Sequence, residues 1–322
     1  MFNRGEKNGK KSILKGGLSI ISQCKKETND IWHAHFGAAA IASYFFMKDN
    51  NIDEETARNM YSQTRMMLNK KKIGEMIDDK KEIDFKIAEN MIIKSLEQTI
   101  DELHWVGHNV IYASLSLLAM KELQKWGDNQ AIEGITTLIL SFRKTIPGRS
   151  WIGYTTKEVK QLSFEEEIQS ELSNPTQVSQ FILNELSKFN SIYRAESHHD
   201  LIGHLLTYSH AINIMYDLGH IDIFQRGIRP LLKLVYVLRA SQKLKLNTEV
   251  TLHSPIDRLP LIQSKRANIL PTENIFWIKD YSEFDWDFGH VFKFSYSYFN
   301  HIQRAPNYKD ITLEKFRYVI HS

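Results

Sequence analysis

The sequence predicts an all-α protein of antiparallel helix pairs, arranged as a bundle or as a superhelical or toroidal array. Long segments place apolar residues at three- and four-residue spacing, as one face of a helix requires. The 322 residues include only seven prolines, and segments with the alternating pattern of a strand are few. A chain of this length can bury a large core.

The first helices are marked by capping residues. Asn29 or Asp30 can cap a helix over 32–47, and Asp53 can cap the next one. Residues 83–125 carry a long helical pattern that predicts two helices or one kinked helix, followed by another over 129–143.

The second half continues the helical pattern, with helices predicted over 175–190, 198–217, 222–243, 283–302 and 312–320. Between them, residues 244–281 contain three prolines and little periodicity, which predicts a long irregular connection. Within that connection, 249–252 and 274–279 are the best candidates for short strands.

The domain organisation predicted from these patterns is simple. Residues 1–28 are rich in lysine and glycine, so we expect a flexible basic N-terminal arm. Residues 29–322 are expected to form a single helical domain that carries a histidine-rich central site.

Charge and composition exclude several classes of protein. The chain has 41 Lys and Arg against 38 Asp and Glu, a net charge of +3, which argues against a nucleic-acid partner. Its one cysteine, Cys24, excludes an internal disulfide and a cysteine-based metal cluster. The longest apolar stretches are shorter than the roughly 20 residues that cross a bilayer, so we expect a cytoplasmic protein without a membrane partner.

The thirteen histidines are the informative feature of the sequence. Most fall in four clusters within strongly apolar helical patterns, at 33–35, 104–108, 198–210 and 290. Burying several imidazoles together is costly unless a metal ion or a polar network satisfies them. Two interpretations follow, a shared metal site or a non-catalytic helical scaffold with a buried histidine network.

Spacing within the clusters refines the metal interpretation. His104 and His108 are four residues apart and would share a helix face. His204 and His210 are six apart, about 120° around a helix, so only one can point at a common ion. Lys293 follows His290 by three residues; beside a metal ion it would be neutral or carry a carbamate, and otherwise it would extend to the surface.

Other catalytic motifs are scarce. The patterns GxGxxG, GxxxxGK[ST] and HExxH are absent, which argues against a Rossmann or P-loop nucleotide site and a zincin. His199-Asp200 resembles the paired ligands of HD-type metal-dependent phosphohydrolases, so hydrolysis of phosphate esters is an alternative function.

Taken in order, the four clusters resemble the questin oxidase-like family. Residues 34–42 are similar to its early Asn-His helix motif, and 108–113 to its His-Pro-Leu-Ile-His segment. Residues 203–211 are similar to its third, Phe-His-Ala-Val-Thr-Gly-x-His-Ala pattern, and 288–294 to its Asp-Glu-His-Val-Ile-Lys-Leu run. This chain departs from the family at Ala34, Asn109, Tyr112, Phe288 and Gly289.

The resemblance implies an all-α oxygenase that opens polycyclic quinone rings with O2. The family reaction is described as NADPH-linked Baeyer–Villiger oxidation or as non-haem iron dioxygenation, so iron (Fe2+) and NADPH are the implied cofactors and a small aromatic molecule the substrate. For the iron form it implies four histidines and a carboxylated lysine as ligands, here His35, His108, His204, His290 and Lys293. We expect Thr207 and His210 to assist catalysis by orienting these ligands.

Overall fold

The computed structural model describes residues 4–74, 77, 82–163, 171–245 and 249–320, without the side chains of 4–10 and 283–286. The described residues form thirteen α-helices and only two small sheets, which confirms the all-α prediction. In chain order, the helices are α1 (Arg4–Thr28), α2 (Ala34–Asp49), α3 (Glu54–Lys71), α4 (Phe85–Leu96), α5 (His108–Leu123), α6 (Asn129–Ser141), α7 (Thr156–Gln161), α8 (Pro175–Ser187), α9 (Leu201–Asp217), α10 (Ile221–Arg239), α11 (Asn274–Ile278), α12 (His290–Arg304) and α13 (Lys309–Val319).

The chain divides into two compact units, where the sequence predicted a single domain over 29–322. Unit 1 comprises Met1–Gln98, Tyr112–Ser141 and Ile269–Tyr296, and unit 2 comprises Thr99–Ile111, Phe142–Asn268 and Ser297–Ser322. Helix α5 therefore begins in unit 2 and continues in unit 1, and α12 begins in unit 1 and ends in unit 2.

The predicted flexible arm is instead the long helix α1 of unit 1. Its Ile13, Leu14 and Leu18 are fully buried, because the apolar residues of this lysine-rich segment recur on one helix face. Helix α1 packs closely on α2, where a Cβ atom at Gly17 would lie 2.7 Å from the carbonyl oxygen of Gly37.

Two further features agree with the sequence predictions, the cap of α3 and the division of 83–125 into two helices. The side chain of Asp53 accepts hydrogen bonds from the first turn of α3 and caps it. The long pattern over 83–125 resolves into two helices, α4 and α5.

Strands β1 (Ile83–Asp84) and β2 (Lys125–Trp126) pair antiparallel, with Ile83 opposite Trp126.

Unit 2 is built mainly on α8, α9 and α10. Asn174 caps α8, whose first residue is Pro175, and a single π-helical turn, Glu196–Asp200, leads into α9. Strands β3 (Trp151–Ile152) and β4 (Leu252–His253) pair antiparallel, so the strand candidate over 249–252 overlaps β4 by one residue.

Two predicted elements near the C-terminal third were wrong. The strand candidate over 274–279 is the short helix α11 of unit 1, in which the consecutive residues Phe276 and Trp277 are both buried. The helix predicted from 283 begins at His290, because Tyr281–Gly289 forms 3-10 turns. None of the described helices is long and apolar enough to cross a bilayer.

Candidate metal centre

Unit 2 contains a pair of buried histidines that face each other. His108 is the first residue of α5 and His204 lies in the first turn of α9. Their Nε2 atoms are 3.3 Å apart, and the ring centroids are separated by 4.8 Å.

The hydrogen bonds of the two Nδ1 atoms assign the tautomers. The Nδ1 of His108 contacts the carbonyl oxygen of Trp105, and that of His204 lies 2.8 Å from the carbonyl oxygen of Asp200. Because a carbonyl oxygen only accepts, both Nδ1 atoms carry hydrogen. In neutral rings both Nε2 atoms then present lone pairs towards each other.

This arrangement suits a metal ion. Two nitrogens about 2.1 Å from one ion lie about 3.0 Å apart in octahedral and about 3.4 Å apart in tetrahedral geometry, a range that includes the observed separation. The carboxylate of Asp200 lies 3.3 Å from Nδ1 of His204, which is the carboxylate–histidine arrangement that orients metal ligands.

A strained turn places His108. Trp105, Val106 and Gly107 have φ values of 41°, 52° and 95°, so three consecutive residues are left-handed. Glycine is required at the last of them, since a Cβ there would lie 2.5 Å from the ring of Tyr208. The turn ends the extended chain at His104 and starts α5 with the imidazole of His108 directed inward.

Unit 1 contains a second pair, His35 in α2 and His290 at the start of α12. Their ring centroids are 5.6 Å apart. The Nδ1 of His35 lies 2.8 Å from the carbonyl oxygen of Trp32 and 2.6 Å from the hydroxyl of Tyr112. The Nδ1 of His290 lies 4.0 Å from the carboxylate of Asp287.

Aromatic side chains and a buried lysine surround the pair in unit 1. Phe294 stacks on His290 at 4.7 Å, and Phe288 lies 5.4 Å from His35 and 5.9 Å from Phe36. Lys293 is buried one helical turn after His290. Its carboxylation stays a prediction.

The described histidines can therefore provide a metal site. In unit 1, the ring nitrogens that His35 and His290 could offer to an ion lie within 4.8 Å of each other. Imidazole donors suit iron, zinc, copper and nickel, so the residues fit the predicted class of cofactor. Which of the predicted ligands bind it stays a prediction.

The two residues expected to orient ligands make different contacts in unit 2. Thr207 donates a hydrogen bond from its hydroxyl to the carbonyl oxygen of His204, at 3.2 Å. His210 places its Nδ1 3.0 Å from the hydroxyl of Ser297 and its ring 6.1 Å from His301. Burial lowers the pKa of His210 well below its usual value.

His301 is a buried polar residue that the sequence analysis did not single out. Its Nδ1 lies 2.9 Å from the hydroxyl of Ser179, and its Nε2 lies 2.9 Å from that of Ser209. Burial lowers its pKa to about 4. The sequence could have identified His301 by its spacing, because it follows Ser297 by four residues and so lies on the same face of α12.

Two histidine motifs, His104 with His108 and His199 with Asp200, have a geometry that differs from the one their spacing suggested. His104 lies in extended backbone before α5 and its Nδ1 contacts the hydroxyl of Thr145, so His104 and His108 do not share a helix face as predicted. In the His199-Asp200 pair, Nδ1 of His199 lies 2.8 Å from the carbonyl oxygen of Ala195, whereas the Asp200 carboxylate lies against His204.

Comparisons with family models, with curated proteins and with solved structures found no match to this chain. The candidate site therefore rests on its own residues and geometry.

Proposed function

We propose that this chain is a metal-dependent oxidoreductase, a non-haem iron oxygenase that acts on an aromatic or quinone-like small molecule. The proposed ligands are His35, His108, His204, His290 and a carboxylated Lys293. The observation that carries the proposal is the 3.3 Å separation of the His108 and His204 Nε2 atoms, with both Nδ1 atoms committed to carbonyl oxygens.

The donor set supports iron among the candidate metals. When bound, Fe2+ supplies the one-electron chemistry that O2 requires. The chain's own contribution is to hold imidazole nitrogens through hydrogen-bonded Nδ1 atoms and to keep Lys293 buried one helical turn after His290, where a carbamate would supply an oxygen ligand. NADPH is the reductant in the alternative form of the proposed reaction.

Aromatic residues support an aromatic substrate. Phe288 is 47% exposed while its ring lies against His35, so it offers a flat apolar face beside a proposed ligand. Offset stacking on such a ring favours planar molecules over aliphatic ones of equal size.

One departure from the family pattern is accommodated locally. Asn109 stands where the family has proline, and its amide donates to the carbonyl oxygen and to the hydroxyl of Thr99, at 2.9 and 3.2 Å. The amide nitrogen of this buried side chain next to His108 is thus hydrogen-bonded. This departure is compatible with the proposed ligand set.

Metal analysis tests the proposal. Protein produced with excess iron should contain about one equivalent of iron, and His204→Ala and His290→Ala should each lose most of it. His253→Ala, which removes a histidine of strand β4, is the matched control and should retain it. Loaded wild-type protein should consume O2 with a reduced naphthoquinone. Equally low metal content in all four proteins, after zinc has also been offered, would refute the proposal.

A further inference from the structure

The hydroxyl of Tyr112 contacts Nδ1 of His35, one of the proposed metal ligands. One placement of the hydrogens in this contact is more favourable than the other. We propose that Tyr112 is a positioning residue that fixes the tautomer and ring orientation of His35, so that Nε2 is the metal-binding atom. The inference deepens the proposed function, since it rests on His35 being a metal ligand.

The geometry involves four residues of unit 1. The Tyr112 hydroxyl donates to the carbonyl oxygen of Ile31 at 3.1 Å and lies 2.6 Å from Nδ1 of His35. The same Nδ1 lies 2.8 Å from the carbonyl oxygen of Trp32. Tyr112 is fully buried and His35 nearly so, so bulk water does not compete for these bonds.

Counting hydrogens decides the arrangement. The two carbonyl oxygens only accept, and the side-chain hydrogens available to them are those of the Tyr112 hydroxyl and of His35 Nδ1. The carbonyl oxygen of Trp32 also accepts from the backbone N–H of His35, at 3.0 Å. If Tyr112 donates to Ile31, its oxygen accepts from Nδ1, and Nδ1–H also faces Trp32. Every polar atom of the group then has a partner, and the lone pair of His35 is on Nε2.

The reverse arrangement is less favourable. If Tyr112 donated to Nδ1, the carbonyl oxygen of Ile31 would lose this donor, and the lone pair of Nδ1 would face the carbonyl oxygen of Trp32 at 2.8 Å. A buried polar group that loses its hydrogen-bond partner is destabilising. That arrangement would also place the hydrogen on Nε2, where it blocks a metal ion.

The contact also restricts the ring itself. The His35 and Tyr112 rings meet edge to face, with centroids 5.7 Å apart and planes at 79°. Partners of this kind around a ligating histidine typically change metal affinity 10- to 100-fold when removed.

The test compares Tyr112→Phe with Tyr298→Phe. Tyr298 is also fully buried, and its hydroxyl lies 3.1 Å from that of Thr312, so its loss controls for removing a buried hydroxyl. We expect Tyr112→Phe to bind Co2+ at least about tenfold more weakly than wild type, measured by competition with a chelator. Tyr298→Phe should bind Co2+ like wild type. In the metal-free protein, the two variants should show similar falls in the thermal midpoint.

A second measurement does not depend on a variant's folding. In metal-free wild-type protein labelled with 15N-histidine, His35 should show a protonated Nδ1 and an unprotonated Nε2. A hydrogen on Nε2, or equal Co2+ affinities for the two variants, would overturn the inference. Wild-type protein that binds no metal but shows the expected tautomer would refute the proposed function and leave the His35 orientation standing.

Discussion

Two turns of the same backbone form each present a histidine at the start of a helix. Trp105-Val106-Gly107 precedes His108 in unit 2, and Asp287-Phe288-Gly289 precedes His290 in unit 1. In both, three consecutive residues have positive φ and the last is glycine. Each glycine is crowded, by the ring of Tyr208 or by the methyl group of Ala39.

The middle residue distinguishes the turns. Val106 is 7% exposed, whereas Phe288 is 47% exposed. The turn before His108 is therefore sealed, and the turn before His290 opens its central side chain to solvent. The same backbone turn thus precedes a histidine in a closed environment in unit 2 and a histidine in a solvent-accessible environment in unit 1.

The strain in these turns is substantial. A residue other than glycine in the left-handed region costs about 1–2 kcal/mol, and β-branched or bulky residues are rarely found there. Four such residues, Trp105, Val106, Asp287 and Phe288, occur in the two turns. Backbone strain of this kind concentrates at functional sites, which agrees with the histidines that follow.

The largest expected effect is loss of stability on adding a methyl group to either glycine. In Gly107→Ala the new Cβ would lie 2.5 Å from the ring of Tyr208, and in Gly289→Ala it would lie 2.2 Å from the Cβ of Ala39. Backbone strain of about 1–2 kcal/mol and overpacking of about 1–3 kcal/mol add to about 2–5 kcal/mol in each. Urea unfolding measures the loss.

Gly219→Ala separates the two contributions. Gly219 has φ of 93°, close to the 95° of Gly107, but no atom lies within 4 Å of its Cβ position. We expect it to lose only about 1–2 kcal/mol. Equal losses for Gly107→Ala and Gly219→Ala would show that the close packing of the turn does not matter.

The second expected effect is acid sensitivity of unit 2. Burial lowers the pKa of four of its histidines, which are His104, His198, His210 and His301. For His301 the folded value is about 4 against 6.5, so between these pH values the unfolded chain binds more protons. The free energy of unfolding therefore falls as the pH drops from 6.5 to 4, by about 3 kcal/mol for this residue.

Hydrogen exchange locates the acid effect. Between pH 6.5 and 4, after correction for intrinsic rates, amides of α8 and α9 should lose protection while those of α2 in unit 1 change less. His301→Asn should show a shallower pH dependence than wild type, from a lower starting stability. An unchanged slope in this variant would mean that His301 does not titrate as its burial implies.

Most of the fold was predictable because it follows from local patterns. Caps such as Asp53 and apolar spacing identify helices whatever their neighbours. Helix α1 was missed because its six lysines stand beside only five Ile and Leu residues, so its average composition concealed one buried face. Residues 274–279 were misjudged because a four-residue apolar run, here Ile275 to Ile278, has the same pattern in a strand as in a short helix.

The candidate site was predictable only in its residue types. Sequence identified histidines in apolar helices, but their pairing, His35 with His290 and His108 with His204, depends on tertiary contacts. The hydroxyl of Tyr112 reaches His35 across 77 residues of sequence. Left-handed backbone at Trp105 or Phe288 contradicts local preference, so no propensity could have indicated it.

The smallest expected effect is the change in stability when the central residue of either turn is replaced by alanine. Val106→Ala removes buried methyl groups and should cost about 1–2 kcal/mol, whereas Phe288→Ala removes a half-exposed ring and should cost less than about 1 kcal/mol. Urea unfolding of both variants measures this order. If a planar ligand uses the exposed ring, binding of 1,4-naphthoquinone to metal-free protein should weaken in Phe288→Ala and not in Val106→Ala. A larger stability loss in Phe288→Ala than in Val106→Ala would mean that its ring is a packing element, and the two turns would then be alike in function as well as in backbone.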